Sequence, residues 1–177
     1  MKLLVTGPPG VGKTTLIKNV CQELDNVAGF CTEEMRDNSN KRVGFDIVSL
    51  SDESKRAALA RVNTSVKGPK VGQYTVITSD FETLALQCLS KEALDKARVI
   101  VIDEIGKMES FSNKFQSLVR KIFQLEEKLI LATIPVKHES LNLVKEIVNR
   151  SDVEIVEVTK SNRDELKTSL IERLLKC

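Results

Sequence analysis

The stretch GPPGVGKTT (residues 7–15) follows directly on the apolar run LLVT (3–6). From Gly7 to Thr14 it satisfies the spacing G-x-x-x-x-G-K-[ST], and it lies between a strand pattern and a helical one, the context in which that spacing has physical meaning. Gly7, Gly10 and Gly12 let successive backbone N–H groups converge on phosphate oxygens, while Pro8 and Pro9 stiffen the loop and Val11 stands between its last two glycines. A helix opening near Lys13 turns its unpaired N–H groups and positive dipole end toward the same anion. Lys13 then reaches the β and γ phosphates as a point charge, Thr14 offers a hydroxyl to Mg²⁺, and Thr15 stands where the α phosphate would lie.

Working outward, four apolar runs have strand length: 3–6, 99–102, 129–134 and 153–158. The first three are continuous rather than alternating, as in strands covered on both faces, which points to a parallel sheet. Between them, apolar stripes at helical spacing run through Leu16–Leu24, Phe81–Leu89, Phe115–Phe123, Leu141–Val148 and Leu166–Leu175, the second opened by Ser79 or Asp80 as cap. The alternation gives an α/β layered fold. Residues 28–78 break the rhythm: GFCTEEM, RVGFDIVSL and QYTVIT read as strands joined by polar turns, a β-rich insertion within one domain spanning 1–177.

Composition narrows the function. With 27 Lys and Arg against 25 Asp and Glu, the net charge of +2 gives no argument for wholesale binding to nucleic acid or an anionic membrane. No apolar run reaches the length of a membrane span, and the first one stops at Gly7, too short for a secretory core, so the expectation is a cytoplasmic protein without a membrane partner. Cys21, Cys31, Cys88 and Cys177 form no C-x-x-C and His138 is the only histidine, which leaves no Cys/His zinc set. The cysteines are read as small apolar fillers and His138 as a surface residue.

The chemistry is carried by a second stretch, VIDEIG (101–106), which ends an apolar strand in two carboxylates. Asp103 is placed to hold the Mg²⁺ shell together with Thr14, and Glu104 to orient and deprotonate a water in line with the γ phosphate. DEIG also fits the D-x-x-G of GTPase switches, but the guanine-reading N-K-x-D is missing, and TKSN (159–162) has Asn162 where the carboxylate should be. Thr133 would neighbour the γ phosphate if its strand lay between those of the phosphate loop and Asp103. Arg150 and Arg163 are candidates for neutralising transition-state charge, each equally readable as a solvated helix-end charge. Glu33 and Glu34 read mainly as an exposed strand edge, with contact to metal or nucleoside as the alternative.

Taken in order, GPPGVGKTTL, GFCTEEMR, RVGFDIVSL, VGQYTV, VIDEIGKME, TIPV and VTKSNRD cover nearly the whole length. In these the chain resembles the small nucleoside-triphosphatases first described from thermophiles, the cancer-related nucleoside-triphosphatase family. The resemblance implies a monomeric P-loop NTPase three-layer sandwich with a mostly parallel central sheet. It also implies Mg²⁺-dependent hydrolysis of ATP, GTP and other nucleoside triphosphates with little base preference. The family's nucleotide-binding segments fall on 7–14 and on Val99, Ile100, Val101, Ile102, Asp103, Glu104, Ile105 and Gly106. SDESKRAALARV (51–62) departs from the family, which carries glycines there. Two other classes stay open at this point: a kinase passing the γ phosphoryl to a nucleotide, nucleoside or RNA end through a pocket built by 28–78, and a nucleotide-dependent switch.

Overall fold

The computed structural model describes residues 1–176. β1 (Lys2–Thr6) runs into the glycine-rich loop and α1 (Lys13–Cys21). The chain then builds β2 (Val27–Arg36), β3 (Arg42–Ser49), β4 (Arg56–Arg61), β5 (Lys70–Val71) and β6 (Tyr74–Val76) before α2 (Thr78–Cys88) and α3 (Lys91–Lys96). β7 (Val99–Ile102), a 3-10 turn at Glu109–Phe111 and α4 (Asn113–Ile122) follow. β8 (Leu129–Thr133), α5 (Asn142–Val148), β9 (Val153–Glu157) and α6 (Arg163–Leu175) complete the order.

All nine strands join one sheet in the order β5-β6-β4-β3-β2-β7-β8-β1-β9. From β2 to β9 every pairing is parallel, and from β2 to β5 every pairing is antiparallel. The fold is therefore α/β with helices over both faces of a mixed sheet. β2 belongs to both halves: Val27–Phe30 pair with β7, and Phe30–Arg36 pair with β3. The stretch 28–78 is thus continuous with the central sheet, an extension of it more than an insertion into it.

Alternation along the buried strands sorts side chains between two cores. Leu4, Ile100, Ile102, Ile130 and Ala132 face α2, α4 and α5. Leu3, Val5, Val99, Val101, Leu129 and Leu131 face α1 and α6. This explains the continuous apolar runs, since each face must be dehydrated. Phe30, Phe81 and Phe115 knit the first core, with Phe81 and Phe115 edge to face at 5.1 Å.

Two local expectations are corrected. α2 opens at Thr78 after Ile77 with no side-chain cap, while Ser79 donates to Asp80 instead of capping. RAALAR, left out of the strands read from the sequence, is β4: Arg56 and Arg61 at its two ends both bind the buried Asp46 of β3, which fixes an alanine-rich segment as a strand. At the far edge, β9 leaves Glu154, Ile155 and Glu157 exposed, with Glu154 paired to Arg173 of α6. Lys2, at the start of β1, is buried and paired to Asp152, which Arg150 also grips through two 2.8 Å bonds.

β2 and β7 approach so closely that a Cβ on Gly29, whose φ is +125°, would stand 1.8 Å from the Val101 carbonyl oxygen. Neither backbone can retreat without breaking the central pairing. Gly29→Ala is therefore expected to destabilise the protein by about 3 kcal/mol or more, read as a lowered midpoint in urea unfolding. An unchanged midpoint would show that this contact is not tight.

Candidate active site

The site forms where β1, β8 and β7 end side by side. Val5 leads into the loop, and α1 opens on Gly12 at φ +105° with no side-chain cap and no acidic residue in its first turn. The N–H groups of that turn, and the positive end of the helix, are left to face the loop's concavity. Lys13 Nζ donates to the Gly7 carbonyl at 2.9 Å, folding the ammonium back over the loop. Gly7 to Thr14, the stretch read from the sequence as a phosphate loop, takes this form, and Thr15 is exposed.

β8 lies between β7 and β1, which meets the condition set for Thr133. Its hydroxyl donates to Asp103 Oδ1 at 2.5 Å, and the Thr32 amide donates to Oδ2 at 3.4 Å. Thr32 Oγ1 also bonds the Asp103 carbonyl, and the Thr14 side chain, at the start of α1, lowers the Asp103 carboxyl from close by. Asp103 is therefore clasped by β8, β2 and α1. Burial pushes its carboxyl above the ordinary range, while Thr133, Thr14, Thr32 and the charge of Lys13 pull the other way. Glu104 follows across a cis peptide bond; burial and then the neighbouring Asp103 raise it, and Lys13 opposes.

Glu109 is a residue that the sequence reading missed. It is buried and accepts from the Gly106 N–H at 3.1 Å. Glu104 Oε1 and Glu109 Oε2 lie 2.6 and 2.8 Å from the place a Gly106 Cβ would take, so the two carboxylates face one another across that glycine. Only a 3-10 turn brings Glu109 back to Glu104, and no periodicity announces it. Thr32 was missed likewise, because its partner is 71 positions away.

Other candidates divide. Arg163, at the start of α6, has Nη1 3.9 Å from where a Gly12 Cβ would stand, which puts its guanidinium beside the loop. Arg150 is corrected: it sits with Asp152 and Lys2 at the opposite end of the sheet, about a full strand length from the loop. Val99, Ile100, Val101, Ile102 and Ile105 are corrected too. They are fully buried in the two cores, so their segment reaches the cleft through Asp103 and Glu104 alone. Glu33 is paired with Lys18 and Arg56, and Glu34 with Arg36 and Arg42 on the cleft rim. His138 is half-exposed, its ring nitrogen 3.0 Å from the Pro135 carbonyl. Cys31 and Cys88 are buried fillers and Cys21 is half-buried with its thiol pushed up to about 12; Cys177 lies outside the described residues.

These parts line one cleft of about 800 Å³, which runs from the loop past Asp103, Glu104 and Glu109 to Phe45 and Leu59. Thr14 and Asp103 present hydroxyl and carboxylate oxygens from two elements, and the buried carboxylate has Lys13 as its opposing charge. That donor set fits a hard divalent cation, which takes one or two protein oxygens together with phosphate oxygens and water. Asn162, in the TKSN turn, has its side chain engaged by the Thr159 N–H and the Glu157 carbonyl. Among the described residues no helix is long and apolar enough to cross a membrane.

Residues 2–171 match the family model described as NTPase. The chain is 45% identical over 172 residues to nucleoside-triphosphatase THEP1 of Thermotoga maritima, covering 97% of this chain and 94% of that one. It is 45% identical over 181 residues to the human cancer-related nucleoside-triphosphatase, covering 96% and 94%. The crystal structure of THEP1 from Aquifex aeolicus superposes with a TM-score of 0.87 at 38% identity, over 98% of this chain and 99% of that one.

Glu109 supplies a test of the buried cluster. Burial first, then Glu104 and Asp103, push its carboxyl up to about 8 from an ordinary 4.5. Between those values the folded protein keeps a proton that the unfolded chain releases, so stability falls as pH rises, by up to about 1.4 kcal/mol per pH unit. Glu109→Gln removes this dependence. Its stability relative to the wild type should rise between pH 5 and pH 8 in urea melts, and a gap that does not move with pH would contradict the assignment.

Proposed function

This chain belongs to the NTPase family, and on that premise we propose that it hydrolyses ATP, GTP and other nucleoside triphosphates to diphosphate and phosphate, with Mg²⁺ and little base preference. The observation that carries the reading is the convergence of Lys13, Thr14, Asp103 and Glu104 on one cleft at the ends of β1 and β7. The two relatives are named for triphosphate hydrolysis, which gives the phosphotransferase alternative no support.

In this reading the loop amides and Lys13 hold the β and γ phosphates, and the nucleotide spends its binding energy on alignment. Thr14 and Asp103 hold Mg²⁺, which when bound neutralises charge on the phosphate oxygens. Glu104 orients a water toward the γ phosphorus and takes its proton as the P–O bond to the leaving diphosphate breaks. Its raised pKa makes it a stronger base than a solvated carboxylate. Thr133 keeps Asp103 oriented, and Arg163 beside Gly12 supplies positive charge to the phosphate chain. Low base preference is supported by the TKSN turn, whose Asn162 side chain is spent on its own backbone.

Phosphate release from ATP, GTP, CTP and UTP with Mg²⁺ tests the reading. All four should turn over, and Glu104→Gln should lose about 10²-fold in kcat with nucleotide binding retained, the scale of a missing general base. Equal rates in wild type and variant would remove Glu104 from the chemistry. Arg163→Ala should cost about 10-fold or more, and Arg150→Ala should fall within about 2-fold of wild type, as expected for a charge outside the site. A reversed order would exchange their assignments.

A further inference from the structure

The cleft is larger than a triphosphate site requires. From the end of β7 it continues over β2 to β3 and β4, two to three strand spacings or roughly 10–14 Å. If the nucleotide is held as proposed above, on which this inference rests, Thr14 and Asp103 mark its β and γ phosphates. The nucleoside then lies on the other side, toward β1, β9 and Arg163, and the region over β3 and β4 faces Glu104 from the side of attack.

That far region has a chemistry of its own. Phe45 of β3, Leu59 of β4 and Val71 of β5 line it. The half-exposed Phe45 ring is set edge-on against Tyr74 at 5.1 Å, and the Arg42 guanidinium carbon lies 5.5 Å from its centroid. Glu34 takes one end of that guanidinium, while the buried Arg42 Nε–H has no acceptor among the described residues. RVGFDIVSL and VGQYTV, which supply Arg42, Phe45, Val71 and Tyr74, have no part in the hydrolysis derived above. An aromatic wall with a guanidinium lying over it suits one kind of guest. A planar ring stacks on Phe45 and the apolar walls, and an anionic substituent meets Arg42.

We propose that this far region is a second small-molecule site for a planar aromatic anion, occupied at the same time as the nucleotide and separated from it by Glu104. The guest adjoins the attacking side of the γ phosphate, so its presence bears on which molecules reach that face.

The probe is 8-anilino-1-naphthalenesulfonate, an aromatic anion whose fluorescence rises on apolar burial, titrated into the full chain with and without saturating Mg²⁺ and imido-ATP. Binding of one probe per chain, shifted less than about 2-fold by nucleotide and weakened about 5-fold or more by Arg42→Ala and by Phe45→Leu, is the expected result. Both variants should keep basal phosphate release within about 2-fold, which also certifies that they fold. Displacement of the probe by nucleotide would put the nucleoside in this region and overturn the proposal, as would unchanged affinity in either variant. Failure of the hydrolase reading shows separately, as equal phosphate release by wild type and Glu104→Gln.

Discussion

A carboxylate at the end of a strand covered on both faces is costly to keep, and the centre of this protein is arranged around keeping one. Asp103 is fully desolvated, and an unpartnered charge there would cost several kcal/mol. Thr133 from β8 and Thr32 from β2 each offer it a donor, and Thr14 and Lys13 from α1 favour its charged form. These partners come from three different elements. The registers of β2 and β8 against β7, and the docking of α1, must all be right at once for the carboxylate to be tolerated, so the strand order and the site specify each other.

β2 is the seam on which the two halves of the sheet depend. Its first residues lie parallel to β7, pressed so close that only glycine fits at position 29. From Phe30 onward it pairs with β3, and this part carries Thr32 to Asp103. One strand thereby joins the phosphate end of the cleft to the wall built by Phe45 and Leu59.

Legibility in the sequence followed the range of the interactions. The loop from Gly7 to Thr14 and the strands at β1, β7 and β8 could be read because their signals are local: spacing, glycine and continuous apolar runs. Asp103 and Glu104 were readable because they end such a run. Glu109 and Thr32 were not, since their partners are met only through a turn and a distant pairing. Arg150 and Arg163 look alike in sequence, each lying near an end of β9, and the polarity of that strand sends one to each end of the sheet. β4 was hidden because alanine and arginine favour helix locally, and its state is imposed by Asp46 and by the neighbouring strands.

The two outermost strands bear on the company the protein keeps. A sheet edge offers unpaired backbone groups to any other extended chain, and a long flat edge invites stacking into larger aggregates. Here one border is the two-residue β5, too short to template a partner. The other is β9, where Glu154 and Glu157 bracket Ile155 and Val156 and would bring like charges together if two such edges met. The nine-stranded sheet thus carries its own stop signals at both borders, and a concentrated solution of the protein is guarded against filament growth by the same residues that frame its outermost strands.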